Sequence, residues 1–184
     1  MTLERRKPFR RQFKMIYDWI EALILALILF TFAFTFLCRM VSVDGPSMET
    51  TLENNDRLLI CNIGYTPGRG DIVVIYRNEY EEPLIKRVIA IAGDNIYIDA
   101  ANNAVYVNGD KRDESAYVHF PQGSDISWNP GAAVDVPEGK LFVMGDHRNN
   151  SMDSRSSSVG LVDVEAVMGR VFFRIAPAEK IGLV

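Results

Sequence analysis

The 184-residue sequence predicts an all-β domain carried on a single N-terminal transmembrane helix. Three observations predict it. One uncharged apolar run near the N-terminus is long enough to cross a bilayer. Beyond it the chain breaks into short β-branched and aromatic runs separated by Gly, Pro, Asn and Asp, the pattern of strands and turns. No long amphipathic helix follows, and there is no internal repeat or low-complexity tract. With 48% hydrophobic and 24% charged residues, the composition is that of a globular domain rather than a disordered chain.

The apolar run is "ALILALILFTFAFTFLC", 17 residues from Ala22 to Cys38 without a charge. Extended back to Trp19 it is 20 residues, broken only by Glu21. At about 1.5 Å per residue this crosses a hydrocarbon core of ~30 Å. A buried core helix and a cleaved signal peptide are the competing readings. The run is long for the latter, and no small-x-small site follows it in "CRMVSVD". Residues 15–40 are therefore read as an uncleaved signal anchor. Arg5, Arg6, Lys7, Arg10, Arg11 and Lys14 precede the span, whereas only Arg39 lies close behind it. That bias predicts residues 1–14 in the cytoplasm and residues 41–184 outside the plasma membrane. Tyr17 and Trp19 suit the bilayer interface. The net charge of −4 argues against a nucleic-acid surface.

Cys38 closes the run as a lipoprotein cysteine would, but Phe36 and Leu37 are too large for such processing. With Cys61, the only other cysteine, it makes neither zinc spacing nor a disulfide framework. Both read as apolar fillers.

Strands are expected at Arg57–Cys61, Asp71–Arg77, Leu84–Ile91, Asn95–Ile98, Val105–Val107, Ala132–Val136, Lys140–Met144 and Val167–Ile175. "NGD" at Asn108–Asp110 signals a hairpin turn. Residues 95–139 are richer in Asn, Asp, Gly, Ser and Pro than their flanks and read as an inserted subdomain with its own small sheet. "RGD" at Arg69–Asp71 reads as a turn leading into "IVVIY" rather than as an adhesion tripeptide.

Just past the anchor, "GPSMETTL" places Ser47 in a small-residue turn with no histidine beside it. A hydroxyl is a poor nucleophile without a base in hydrogen-bond reach. Of the two histidines, His119 lies in the weakly patterned insertion and His147 in "GDHRNNSMDSR", crowded by Asp146 and Arg148. A Ser-His-Asp triad is arithmetically possible, though neither histidine stands out. Lysine is the other option. In "PLIKRVIAIAG" the run Leu84–Ile91 is apolar except for Lys86 and Arg87. Strand alternation puts Lys86 with Leu84, Val88 and Ala90, and Arg87 with Ile85, Ile89 and Ile91, so at least one cation enters a low-dielectric setting. A buried arginine stays charged and must be paired, whereas a desolvated lysine can lose its proton and serve as a general base. Spacing alone favours the plainer reading, a strand-end lysine with its amine in solvent. A third group, "MGDHRNNSMDSRSSS", brings Asp146, Asp153, Arg148 and Arg155 together with several hydroxyls, which suits bidentate ion pairs that freeze a loop. A metal site would call for more carboxylates at regular spacing.

Together these segments resemble the bacterial type I signal peptidases of the Gram-positive-like type, membrane-bound serine proteases with a Ser/Lys dyad. "GPSMETTL" resembles the box S-M-x-P-T-L, "RGDIVVIY" the next strand box, "LIKRVIAIAGD" the box K-R-V-x-x-x-x-G-D, and "GDHRNNSMDSR" the box G-D-[NH]-x-x-x-S-x-D-S-R. All four occur in the family's order. The resemblance implies a signal-peptidase-like sheet or barrel core that cleaves signal peptides from exported preproteins after a small-x-small motif. It implies Ser47 as nucleophile, Lys86 as general base, Ser151 as the hydroxyl orienting the lysine amine, and Asp146, Asp153 and Arg155 as a supporting ion-pair cluster. Val43, Met48, Leu52, Leu84 and Ile85 match the walls of the substrate pockets. The Ser47 N–H would be an oxyanion donor, and Gly45 removes the side-chain donor that some members carry two positions before the serine. Thr50 stands where the family usually has proline, and "AIAGD" replaces the commoner "GLPGD", which relaxes both turns.

No cofactor is implied. The implied partners are signal peptides, the lipid bilayer and the secretion translocon, with no nucleic acid. Two other readings compete. A self-cleaving Ser/Lys repressor-type protease would carry a DNA-binding module in place of an anchor. An inactive membrane-anchored β-module would bind extended peptides without cutting them.

Overall fold

The structure, a computed structural model, describes residues 7–76, 82–118 and 133–184; for residues 7–12 and 33–37 it describes the backbone alone. Arg5, Arg6, the Arg77 end of one expected strand, His119 and Ala132 lie outside the described residues.

Helix α1, Lys7–Leu37, carries the apolar run. Its stretch Phe13–Phe32 is exposed throughout and long and apolar enough to span a bilayer. Leucines, isoleucines and phenylalanines exposed all round a helix need an apolar medium, as in a single-pass membrane protein. The helix ends earlier than the expected anchor boundary at residue 40. Cys38–Ser42 instead form a strand, β1, which pairs with β2, Arg57–Cys61. Val41 and the neighbouring Val43 favour extended backbone, and the pairing supplies the hydrogen bonds.

The chain beyond the helix is built on an eight-stranded sheet. Its remaining strands are β3 (Ile72–Ile75), β4 (Leu84–Ile91), β9 (Lys140–Met144), β10 (Val162–Asp163), β11 (Val167–Ala176) and β12 (Gly182–Leu183). The order is β1-β2-β11-β3-β4-β9-β10, with β12 also on β11. The pairings from β2 through β10 are antiparallel. Strand β3 is buried at all four positions, because both faces of the sheet are covered. Ile72 and Val74 pack with Val43, Met48, Leu52 and Ile85 on one face. Val73 and Ile75 pack with Val88, Leu141 and Val143 on the other. This two-sided burial explains why "IVVI" reads as an uninterrupted apolar run.

A second, four-stranded sheet lies wholly within the expected insertion. It is ordered β7-β6-β5-β8, from β5 (Asn95–Asp99), β6 (Ala104–Val107), β7 (Asp110–Lys111) and β8 (Val134–Asp135). Asn108 and Gly109 both have positive φ, +56° and +85°, the primed-turn geometry that "NGD" signals between β6 and β7. Ile96, Ile98, Val105 and Val107 pack on Ile89, Ala90, Phe142 and Met144 at the far ends of β4 and β9. A bulge between Val88 and Ala90 marks where β4 passes from one cluster to the other. The two-residue strands β10 and β12 had no signature in the sequence, since two residues carry no period.

Candidate active site

Ser47 sits half-buried in a turn pinned on either side. Glu49 N donates to Pro46 O at 3.0 Å, and Leu52 N donates to Met48 O at 2.8 Å. Gly45 supplies the left-handed entry at φ +87°, and its N–H is held by Asn54 Oδ1 at 3.1 Å. Val43, Met48 and Leu52 are buried in the core, so the turn is anchored by apolar side chains while its serine points to the cavity. The Ser47 N–H has no acceptor among the described residues, which leaves it available to a developing oxyanion.

Lys86 lies in the middle of β4, paired in register with Val73, and is 3% exposed. Its Nζ lies 2.8 Å from Ser47 Oγ and 3.0 Å from Ile85 O. Burial lowers the amine to about 8, against the pull of the Asp153 and Asp146 charges, which raise it. His147 does not reach the serine hydroxyl. Its Nδ1 lies 3.2 Å from Pro46 O and 3.0 Å from the Glu49 carboxylate, while its backbone N–H donates to Ser47 O at 3.1 Å.

Arg87, next along β4 and partly buried, is paired with a carboxylate. Its Nε and Nη2 donate to the two oxygens of Asp146 at 2.8 and 2.7 Å, and Asp146 is fully buried. Thr51 Oγ1 donates to the same carboxylate, tying it to the Ser47 turn. Asp153 receives the Arg155 fork at 2.8 and 2.7 Å and the Gly145 N–H at 2.9 Å. Burial works to raise the Asp153 pKa, but the Arg155 hydrogen bonds and charge hold it below the usual value. Ser151 Oγ is buried without a hydrogen bond of standard geometry, and it lies near enough to Asp153 to favour the carboxylate. The Lys86 amine is bonded to Ser47 and Ile85 rather than to Ser151. Gly145 explains the tight packing here: a Cβ on it would lie 2.3 Å from Ser151 Oγ and 2.4 Å from Ser47 O.

Val43, Met48, Leu84 and Ile85 line a cavity of about 160 Å³ at Ser47 and Lys86. Leu52, expected on its wall, belongs instead to the core that backs it and is fully buried. Met152, more than half exposed, completes the wall and had no signal in the sequence. A groove of about 560 Å³ continues from Val43 and Pro83 along Met40 and Ser42 of β1, which ends the strand order. Glu114 and Tyr117, in the insertion, also reach the site's loops, and nothing local to them marked it.

A family model described as signal peptidase, peptidase S26, matches residues 16–176. The chain belongs to the signal peptidase family S26. It is 33% identical to signal peptidase IB of Staphylococcus aureus (strain COL) over 184 residues, covering 91% of this chain and 93% of that one. Signal peptidase I of Bacillus licheniformis is 34% identical over 178 residues, with 90% and 91% covered. A crystal structure of a signal peptidase I from Enterococcus faecalis aligns with a TM-score of 0.47 at 26% identity, over 58% of this chain and 97% of that one. As a family S26 member the chain is a signal peptidase enzyme, a hydrolase of signal peptides, and its one N-terminal apolar helix fits a single-pass membrane protein.

Proposed function

We propose that this signal peptidase cuts exported preproteins after a small-x-small motif, with Ser47 as nucleophile and Lys86 as general base. The observation that carries the proposal is the 2.8 Å approach of a buried lysine amine to the serine hydroxyl. Neutral Lys86 takes the Ser47 proton as Oγ adds to the scissile carbonyl carbon, and the Ser47 N–H steadies the resulting oxyanion. The C–N bond then breaks, and the protonated lysine returns its proton to the leaving amine. A water deprotonated by Lys86 releases the signal peptide from the acyl-enzyme. Lys86 returns that proton to Ser47 Oγ as the acyl C–O bond breaks.

Asp146, Asp153, Arg155 and Ser151 hold this constellation rather than react. The shallow apolar cavity bounded by Val43, Met48, Leu84 and Ile85 favours side chains of alanine size by overlap with larger ones. The groove along β1 suits an extended substrate lying at a free sheet edge. The charge bias of the basic N-terminus favours an orientation with the peptidase domain on the outer face of the plasma membrane, where cleavage sites would emerge from the translocon.

The test is cleavage of a purified preprotein by the full chain in detergent. Ser47→Ala and Lys86→Ala each leave the precursor uncut while remaining folded; full-rate cutting by either overturns the dyad. A parent protein that binds the precursor but never cuts it favours the peptide-binding alternative.

A further inference from the structure

Thr50, three residues after Ser47, has φ of +89°. A β-branched residue adopts this left-handed backbone only under strain, which persists where surrounding contacts over-determine it. The contact here is long-range: the Thr50 hydroxyl donates to Tyr117 O at 2.5 Å across 67 residues. Proline is held near −65° and carries no hydroxyl. The Ser47 turn is therefore not a proline turn made looser; it is held from outside.

Tyr117 belongs to a short turn in the inserted segment, where Tyr117 N and Val118 N both donate to Glu114 O, at 3.1 and 2.9 Å. The same turn makes two further contacts with the catalytic loops. Glu114 receives both Arg148 terminal nitrogens, at 2.6 and 2.7 Å, in a pair whose arginine is fully buried and whose carboxylate is 10% exposed. Arg148 Nε then donates to Gly145 O at 3.0 Å, and Gly145 is the residue wedged between Ser47 O and Ser151. The Tyr117 ring lies under the Arg87 guanidinium, 4.1 Å from its centre, and Arg87 is the neighbour of Lys86 in β4. A single turn thus touches the nucleophile turn, the base strand and the loop carrying Asp146 and Ser151.

We infer that the Glu114–Tyr117 turn is a strap that sets Ser47 against Lys86, with Thr50 and Glu114 as positioning residues for the cleavage reaction. The inference rests on Ser47 and Lys86 being the reacting groups. Neither Thr50 nor Glu114 lines the cavity, so loosening the strap disturbs attack geometry and spares the substrate walls. A misplacement of about 1 Å costs on the order of 100-fold in rate.

The test is steady-state cleavage of a fluorogenic small-x-small peptide by the full chain in detergent, with kcat expressed per folded molecule from circular dichroism. Thr50→Val keeps the shape and removes the donor; Glu114→Gln keeps the shape and removes the charge. Each lowers kcat about tenfold or more and leaves KM within about twofold, and Thr50→Ser restores most of the loss. The strap is overturned if both variants keep kcat within about twofold of the parent, if the loss falls on KM, or if Thr50→Ser fails to rescue. Lys86→Ala is run beside them. Activity in that variant sinks the dyad, whereas an inactive Lys86→Ala with unaffected strap variants sinks the strap alone.

Discussion

Lys86 Nζ lies 2.8 Å from Ser47 Oγ although 39 residues separate them. The contact joins a turn pinned by Met48 and Leu52 to the middle of a central strand, so neither group depends on a mobile loop for its place. Rigid placement of both partners is what a lysine base requires, since its flexible stem would otherwise sample solvent.

The pH dependence follows from the amine's depressed value of about 8. In the proposed dyad only the neutral amine accepts the serine proton, so the expected kcat/KM on a peptide substrate falls about tenfold per unit as pH drops below that value. A profile flat from pH 8 to pH 6 would show that another group takes the proton.

Burying this lysine also costs stability. Between about 8 and the ordinary 10.5, the unfolded chain holds a proton that the folded chain lacks. Stability therefore rises with pH through that window, and the penalty is complete below it. At pH 7 it amounts to roughly 3 kcal/mol. Lys86→Met, which fills the same space without a charge, raises the thermal midpoint at pH 7 while abolishing cleavage. A lowered midpoint would mean that the amine is paired more strongly than it is desolvated.

Asp153→Asn removes the charge paired with the buried Arg155 and turns one of the two oxygens that accept from Arg155 and Gly145 into a donor. An uncompensated buried charge costs about 3–5 kcal/mol, read as a lower unfolding midpoint. The Asp153 charge also pulls Lys86 upward, so in the folded fraction the acid limb of the rate profile moves to lower pH. In the parent protein Asp153 has its pKa held below 3.8. Its contribution is present above about pH 4 and is lost as pH falls through the folded value.

Gly145→Ala introduces a methyl 2.4 Å from Ser47 O and 2.3 Å from Ser151 Oγ. Ser47 O is a backbone atom, so relieving the clash moves the Ser47 turn itself. Cleavage falls on the order of 100-fold, measured with the same peptide, and a variant of parental rate would show that the two loops separate freely.

Much of this was legible in the residues. "IVVIY", "LIKRVIAI" and "KLFVM" became strands because short, largely apolar runs of that length suit a sheet covered on both faces. The hairpin at Asn108 and Gly109 was legible because its turn demands positive φ from both residues. The end of the anchor was not: Cys38–Ser42 follow the apolar helix without a turn signal, and pairing with Arg57–Cys61 makes them a strand. Met152 was invisible because an exposed methionine in a polar loop carries no periodicity.

By itself, the sequence determined an apolar helix of membrane-spanning length, a β domain behind it, and four motifs in a recognisable order. It also required that Lys86 or Arg87 be buried, since both faces of their strand are apolar. The tertiary structure alone decided that Arg87 goes to Asp146, that Lys86 goes to Ser47, and that Glu114 and Tyr117 come back from the insertion to brace the site. The physical reason is range. Propensity and alternation act over a few residues, whereas these contacts span 34 to 67 positions and exist only once strand order and register have closed the sheet.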